Sequence, residues 1–231
     1  MAVALVTGGS QGLGRALVEA LAGEGWSVVT DARSAGDLEE VARAGVTTVA
    51  GDVTDPAHRA ALLDAVARLG RLDLLVNNAS VLGPSPQPVL AGYPLDVLRR
   101  VYEVNVIAPL ALVQLALPLL REAKGRIVNV TSDAAVEAYE GWGGYGSSKA
   151  ALEQLSAVLA AEEPEVTVWA VDPGDMRTWM HQEAFPGEDI SDRPEPATVA
   201  PTLLALVGGD LPSARVRLAD LQQRGTGGGG R

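Results

Sequence analysis

Short runs of aliphatic and β-branched residues alternate along the chain with longer amphipathic stretches, and this alternation constrains the fold most strongly. The pattern predicts strands near 2–7, 26–31, 46–50, 72–77, 126–131, 166–171 and 214–219, and helices near 13–24, 36–44, 56–69, 95–121, 146–162 and 196–207. Several strand segments are apolar on both faces, as in a parallel sheet covered by helices on each side. With right-handed crossovers the prediction is an α/β fold with a doubly wound parallel sheet and three αβα layers.

Length and composition indicate one domain. The chain has 231 residues, 47% of them apolar, so we expect a single domain over 1–222 and a flexible Gly-rich tail over 223–231. A net charge of −11 disfavours nucleic acid and anionic membranes as partners, and no stretch of membrane-spanning length is free of charged and polar breaks. The absence of Cys and the presence of only two His argue against disulfides and metal sites. With no basic, signal-like N-terminus, a cytoplasmic location is expected.

Two long segments, 79–94 and 174–195, follow predicted strands and are rich in Pro, Gly and charged residues. Loops after strand carboxyl ends line the ligand crevice of an open α/β sheet, so both segments are expected to shape a substrate site. The alternative is that they are disordered surface loops.

The first strand leads directly into a glycine-rich turn, Thr7-Gly8-Gly9-Ser10-Gln11-Gly12-Leu13-Gly14, and a helix follows. Glycines allow a sharp turn and a close approach to a pyrophosphate, and the helix N-terminus offers N–H groups to it. Glycine alone is weak evidence, since turns recruit it for steric reasons, but the position between first strand and first helix is typical of dinucleotide sites. No Gly-Lys-Ser/Thr ending follows, which argues against a nucleoside triphosphatase.

Further motifs occur one after another along the chain, after successive predicted strands: Asp52-Val53, Asn77-Asn78-Ala79-Ser80, Asn105, Ser132, Tyr145-Gly-Ser-Ser-Lys149 and Pro173-Gly174-Asp-Met176-Arg-Thr178. Together with the Thr-Gly-x-x-x-Gly-x-Gly turn, their order and spacing over residues 3–178 resemble the short-chain dehydrogenase/reductase family. The resemblance implies a Rossmann-type αβα sandwich, with a nicotinamide cofactor and a carbonyl or secondary alcohol as substrate. Ser80 stands where this family commonly has Gly.

The resemblance also implies roles for individual residues. Tyr145 would be the general acid/base, Lys149 would lower the pKa of Tyr145 and bond the nicotinamide ribose, and Ser132 would hold the substrate carbonyl. The cofactor-binding residues would be Gly8, Ser10, Gln11, Gly12, Leu13, Gly14, Arg33, Asp52, Val53, Asn78, Ala79, Tyr145, Lys149, Pro173, Gly174, Met176 and Thr178, with no metal ligand among them.

The residues themselves suit proton transfer. Lys149 lies four positions after Tyr145 on the same helical face, and a cation there favours a phenolate. Tyr145 also lies near the helix N-terminus, where the helix dipole acts in the same direction. The alternatives are an exposed Tyr–Lys pair and, for Ser132, an ordinary turn serine. The other motifs and the 13-residue separation of Ser132 from Tyr145, usual in the family, favour the catalytic interpretation.

Asn105 interrupts an otherwise apolar helix, where Asn is unfavourable. Pro109 has no N–H to donate to the carbonyl of Asn105, four residues back, so this carbonyl is free to hold a water. By resemblance, that water belongs to a proton relay to Lys149. The alternative is a hydrogen-bonded buried Asn beside a helix kink.

Cofactor preference is set after the second strand, at Asp31-Ala32-Arg33. Counted from Gly25, Ala32 stands where NAD-specific relatives carry Asp, and Arg33 where NADP-specific relatives carry Arg. Asp31 is one position early and is expected to face away from the ribose or cap the loop. Although Gln11 replaces a basic residue common in NADP enzymes, we favour NADP over NAD.

The substrate and the assembly are less constrained. Loop residues Val81, Leu82, Trp142, Trp179, Met180 and Phe185 indicate a hydrophobic ketone, aldehyde or alcohol, although Trp142 could equally anchor its helix. His181 and the run 183–193 are expected to form a solvated lid. The apolar helices 95–121 and 146–162 indicate a homodimer or homotetramer, unless loops cover them, and the short C-terminus puts the tetramer in doubt. A cofactor-binding regulator or sensor, and an epimerase or lyase on the same scaffold, are the alternatives to an oxidoreductase.

Overall fold

Seven parallel strands form the centre of the protein. The computed structural model describes residues 1–226, with side chains described through Gln222. The strands are β1 Val3–Val6, β2 Ser27–Ala32, β3 Val46–Ala50, β4 Leu74–Asn77, β5 Arg126–Val130, β6 Thr167–Asp172 and β7 Ala214–Arg217. They pair in the order β3-β2-β1-β4-β5-β6-β7, and every pair is parallel. The chain therefore winds outward from β1 in both directions, which confirms the predicted doubly wound αβα fold.

Helices cover both faces of the sheet. They are α1 Gly12–Gly23, α2 Ala35–Glu39, α3 Pro56–Ala67, α4 Leu95–Tyr102, α5 Ala108–Ala123, α6 Gly143–Glu162, α7 Trp179–Ala184, α8 Pro196–Gly208 and α9 Leu218–Thr226. One buried cluster joins α1 and α8 to the sheet around Trp169, and another joins α3 and α5 to the opposite face around Leu75. Each face thus has its own core, as the strands that are apolar on both sides require.

Two helix predictions need correction, and two helices, α7 and α9, were not predicted. The helix expected over 36–44 ends at Glu39, because only Leu38 and Val41 are buried there, too little apolar surface to hold further turns. The run over 95–121 is interrupted by a π-helical turn, Glu103–Ile107. The helix α9 was missed, and the tail predicted from 223 was therefore placed too early; residues 227–231 lie outside the described residues.

The continuous helical run Leu95–Ala123 reaches the length and mean hydropathy of a membrane span, despite Asn105 and Gln114. The run nevertheless contains the polar breaks that the sequence leads us to expect in any stretch of this length. Half of its most apolar window is buried inside the protein, against the sheet and the neighbouring helices. Burial of this kind is also what a core helix of an α/β domain requires.

Candidate active site

A cavity of about 940 Å³ opens at the carboxyl ends of the strands. It extends from the loops after β2 and β3, past the turn between β1 and α1, to the loops after β5 and β6. The order of the strands reverses between β1 and β4, and open α/β sheets bind ligands at this crevice. Most of the predicted site residues lie in these loops, in the loop after β4 or at the start of α6.

The glycine-rich turn forms a close-fitting cradle in this cavity. Gly8 and Gly12 have φ of +69° and +55°, which L side chains rarely adopt. At Gly14, a Cβ would lie 2.2 Å from the carbonyl oxygen of Gly8. The turn therefore needs glycine at these three positions, and it directs the N-terminus of α1 at the cavity with no acidic residue in its first turn. This backbone cradle fits a dinucleotide pyrophosphate.

Side chains from neighbouring strands hold the cradle in place. The Asp31 carboxylate accepts the Gly8 N–H at 2.7 Å, and its other oxygen lies 2.9 Å from Nε2 of His58. The expectation that Asp31 caps the loop agrees with this contact, although Asp31 also lines the cavity. Asn78 donates from Nδ2 to the carbonyls of Thr7 and Gly8, at 2.9 and 3.2 Å. The Asn78 amide thus shapes the turn.

The loop after β3 contributes Asp52 and Val53 to the cavity wall. Burial alone would raise the pKa of Asp52, but hydrogen bonds from Thr54 and Arg100 lower this pKa to about 2. Arg100 comes from α4, so this ion pair joins the two sides of the cavity at the β3 end. By contrast, Arg33 lines the cavity, and its side chain makes no ion pair or hydrogen bond with the described residues.

At the other end of the cavity, the loop after β5 and the start of α6 bring Ser132, Tyr145 and Lys149 together in the wall. Ser132 Oγ donates to Asp133 Oδ1 at 2.8 Å and accepts the Ala134 N–H at 3.2 Å. Lys149 is buried, donates from Nζ to the Val130 carbonyl at 2.8 Å, and lies 5.5 Å from the centroid of the Tyr145 ring. The arrangement places two hydroxyls and one ammonium in a largely desolvated pocket.

Burial governs the pKa values of both groups. Desolvation raises the pKa of Tyr145 well above its ordinary value, against a hydrogen bond with Ser80 that lowers it, and nearby carboxylates add to the rise. Desolvation lowers the pKa of Lys149 to about 7. The expectation that Lys149 depresses the pKa of Tyr145 stays a prediction, because burial of the hydroxyl is the largest influence on that pKa among the described residues. At neutral pH Tyr145 is a phenol, able to donate a proton.

Asn105 lies in the π-helical turn, immediately behind this pocket. Its Oδ1 accepts from Ser80 Oγ and the Val81 N–H, and its Nδ2 donates to the Val81 carbonyl and to Ser148 Oγ, at 2.9 to 3.1 Å. All four partners belong to the loop after β4 or to α6. The side chain is thus a fully bonded buried Asn, the alternative that the sequence left open. The relay role of its carbonyl stays a prediction.

The loop after β6 closes the far wall. Gly174 has φ of +77°, and Thr178 caps α7 by accepting the His181 N–H at 3.1 Å. A Cβ on Gly12 would lie 3.5 Å from the Thr178 methyl, which places this loop against the glycine-rich turn. The His181 side chain is 10% exposed and lines the cavity, so the expectation of a solvated lid residue was wrong for His181.

Most of the predicted site residues line the cavity, and two do not. The two are Gly14, which packs under the Gly8 carbonyl, and Asn105, which lies behind the wall. Residues that line it and were not singled out include Ser34, Asp37, Arg100, Asp133 and Tyr139. Asp133 could have been found as the neighbour of Ser132. Tyr139 lies in an irregular loop, and hydrophobic periodicity does not predict the conformation of such a segment.

Comparisons with known proteins agree with this geometry. A family model described as short chain dehydrogenase matches residues 2–189. Benzil reductase ((S)-benzoin forming) of Saccharomyces cerevisiae is 34% identical over 194 residues, covering 78% of this chain and 74% of that protein. Sepiapterin reductase of Mus musculus is 34% identical over 202 residues, covering 79% and 77%.

Among solved structures, a short chain dehydrogenase of Shigella flexneri complexed with NADP superposes with a TM-score of 0.86 at 29% identity. The match covers 94% of this chain and 95% of that chain. The fold, the glycine cradle and the cavity agree with this similarity, and a nicotinamide dinucleotide is the cofactor that the residues fit. The chain belongs to the short-chain dehydrogenase family of oxidoreductases.

Proposed function

We propose that this protein reduces a carbonyl group to a secondary alcohol, and catalyses the reverse oxidation, with Tyr145 as general acid and base and NADP as the favoured cofactor. The observation that carries the proposal is the neutral, buried Tyr145 hydroxyl in the same cavity wall as Ser132 and Lys149. The nicotinamide, when bound, supplies or takes up the hydride. The similar proteins benzil reductase and sepiapterin reductase are reductases by their names, which supports carbonyl reduction as the direction of the reaction.

Each polar group has one task in this proposal. Ser132 redirects its hydroxyl proton from Asp133 to the substrate oxygen and so polarises and orients the carbonyl. Tyr145 donates its proton to that oxygen as negative charge develops there. Lys149, whose pKa is about 7, stabilises the phenolate and restores its proton near neutral pH. For alcohol oxidation the same steps run backwards.

Preference for NADP is supported by the side chains after β2. Arg33 has no carboxylate partner among the described residues, and a free guanidinium attracts a ribose 2′-phosphate. Both oxygens of Asp31 are engaged by Gly8 and His58, so this carboxylate is not available to a 2′-hydroxyl. The Shigella flexneri relative complexed with NADP is consistent with this choice.

We further propose a homodimer formed through α5 and α6. Leu115 and Val158, on these two helices, are 48% and 42% exposed, and Ile107 before α5 is 47% exposed. Exposed aliphatic residues on neighbouring helices favour a partner surface. Sedimentation velocity tests it: Leu115→Glu with Val158→Glu should give a monomer from a wild-type dimer, and a monomeric wild type contradicts it.

The deciding experiment measures NADPH and NADH oxidation over a panel of ketones and aldehydes, with Tyr145→Phe as the matched variant that lacks only the hydroxyl. Turnover with NADPH that falls by about 10²-fold or more in Tyr145→Phe supports the mechanism. Turnover that survives this substitution refutes it, and cofactor binding without turnover of any carbonyl refutes the proposed reaction.

Cofactor preference has its own variant. Arg33→Asp combined with Ala32→Asp should reverse the ratio of NADPH to NADH affinity, measured by fluorescence titration in the absence of substrate. Equal affinities before and after the change would contradict the assignment of Arg33.

A further inference from the structure

Aromatic rings are concentrated at one end of the active-site cavity. The chain has only four Trp, four Tyr and one Phe. Five of these nine rings line the cavity, namely Tyr139, Trp142, Tyr145, Trp179 and Phe185. Trp26 and Trp169, by contrast, pack in the core, as aromatic residues commonly do. More than half of the rings of this chain therefore line the cavity that holds the proposed proton donor.

Trp142 is the centre of this aromatic cluster. Its ring lies edge-on to Tyr145, with centroids 6.0 Å apart and planes at 73°, and 5.7 Å from the Phe185 ring. Tyr139 adds a second edge-on contact to Trp142 at 6.3 Å, and His181 lies 4.8 Å from Phe185. The rings form a continuous surface that begins at the reacting hydroxyl and extends along the substrate loop.

The charges at this end of the cavity are mostly negative. Asp133, Asp172 and Asp175 line it together with Lys149, and Asp172 lies 3.4 Å from Arg215, whereas Arg33 and Arg100 belong to the opposite end. Asp133 stands next to Ser132 and accepts the Tyr139 hydroxyl at 3.0 Å. Asp175 is balanced in part by Arg193, 3.8 Å away. A substrate that carries its own carboxylate would meet repulsion here, while an uncharged ring would not.

We propose that the substrate is an uncharged aromatic carbonyl compound, whose ring packs against the surface formed by Trp142 and Phe185 while its oxygen meets Ser132 and Tyr145. This inference rests on the proposed carbonyl chemistry and adds the substrate class to it. Offset and edge-on contacts between rings give an aryl group roughly 2- to 12-fold more affinity per ring pair than its buried area alone. An alkyl group of equal size fills the same space without this gain.

The competing explanation is that the rings only fasten the loop. Phe185 follows α7 and Trp142 precedes α6, so their contact also joins the loop 174–195 to the catalytic helix. If docking of the loop were their whole role, loss of either ring would weaken the reduction of all ketones by the same factor. The two explanations therefore differ in selectivity.

The experiment compares acetophenone with cyclohexyl methyl ketone, which share the methyl ketone and six ring carbons, and with 4-acetylbenzoate. In Phe185→Leu and Trp142→Leu, kcat/KM with NADPH should fall roughly 2- to 12-fold more for acetophenone than for cyclohexyl methyl ketone. The comparison between variants cancels the lower intrinsic reactivity of an aryl carbonyl. Trp26→Leu, at the amino end of the sheet, should leave the ratio unchanged. The wild type should disfavour 4-acetylbenzoate at least ~10-fold against acetophenone.

Measurements of ketone binding test the proposed substrate class independently of turnover. In Tyr145→Phe with NADPH present, saturation-transfer NMR competition should show acetophenone displacing cyclohexyl methyl ketone, and Phe185→Leu should weaken this preference. Equal binding of the two ketones, or equal loss for both in the ring variants, overturns the inference. Preferential binding of acetophenone without reduction of any ketone leaves the inference supported and refutes the proposed reaction instead.

Discussion

Nε2 of His58 on α3 lies 2.9 Å from Oδ2 of Asp31 at the end of β2, beneath the glycine-rich turn. The other oxygen of Asp31 accepts the Gly8 N–H at 2.7 Å. Asp31 and His58 are only 1% and 7% exposed, and a Cβ on Gly51 would lie 2.2 Å from the imidazole. The conformation of the cofactor cradle therefore depends on a histidine 50 residues further along the chain and on the glycine that makes room for it.

Replacing His58 by Leu should destabilise the protein and weaken cofactor binding. The substitution leaves Oδ2 of Asp31 buried without a donor, which costs roughly 1–3 kcal/mol of the free energy of unfolding. Since Asp31 also holds Gly8, the affinity for NADPH should fall as well. Urea unfolding and fluorescence titration measure the two effects. His58→Gln, whose amide can still donate to Asp31, is the control, and equal stability of the two variants would refute the role of this pair.

A methyl group at Gly14 should damage the cradle. In Gly14→Ala the new Cβ would meet the Gly8 carbonyl oxygen at 2.2 Å and Asn78 Nδ2 at 2.5 Å, so the turn must shift. We expect the Kd for NADPH, from fluorescence titration, to rise at least ~10-fold, a loss of about 1.4 kcal/mol. Gly23→Ala, in the same helix with nothing within 4 Å of its Cβ, should bind NADPH normally. An unchanged Kd in Gly14→Ala would show that the turn relaxes without cost.

The sequence predicted the fold because all seven strands carry apolar, β-branched residues, and each lies within about two residues of its predicted position. It missed α9, Leu218–Thr226, whose polar residues and Gly225 weaken any helical pattern. Most motif residues reached the cavity because they follow strands whose carboxyl ends face it, although Gly14 and Asn105 do not line it. Two features could not be predicted, because they depend on how distant loops pack. They are the pairing of Asp31 with His58 and the positions of Tyr139 and His181 in the cavity wall.

Pro109 should matter through the carbonyl of Asn105. The proline nitrogen cannot donate to that carbonyl, and it lies in the first turn of α5, two residues after the π-helical turn Glu103–Ile107. In Pro109→Ala a new N–H competes for the carbonyl while the four side-chain bonds of Asn105 persist. We expect kcat to fall severalfold with a larger solvent isotope effect. Pro118→Ala, a proline inside the same helix, is the control. An unchanged proton-transfer rate in Pro109→Ala would exclude a relay through this carbonyl.

Burial of Lys149 should make stability depend on pH in a defined direction. Its folded pKa of about 7 lies below the ordinary 10.5, so the native state loses this proton first. The cost of burying the ammonium is therefore fully present below pH 7 and is relieved as pH rises toward 10.5. Lys149→Met removes this cost but also loses the hydrogen bond to the Val130 carbonyl at every pH.

The stability gained by Lys149→Met over the wild type should thus be larger at pH 6 than at pH 9.5. From the two pKa values of Lys149, this stability gain should shrink by at most about 3 kcal/mol between pH 6 and pH 9.5. Urea unfolding of both proteins at the two pH values, without cofactor, measures it, and the comparison of differences cancels the lost hydrogen bond and all other titrating groups. If the difference in the free energy of unfolding between Lys149→Met and the wild type stays constant between pH 6 and 9.5, the Lys149 ammonium remains charged and stabilised in the folded protein.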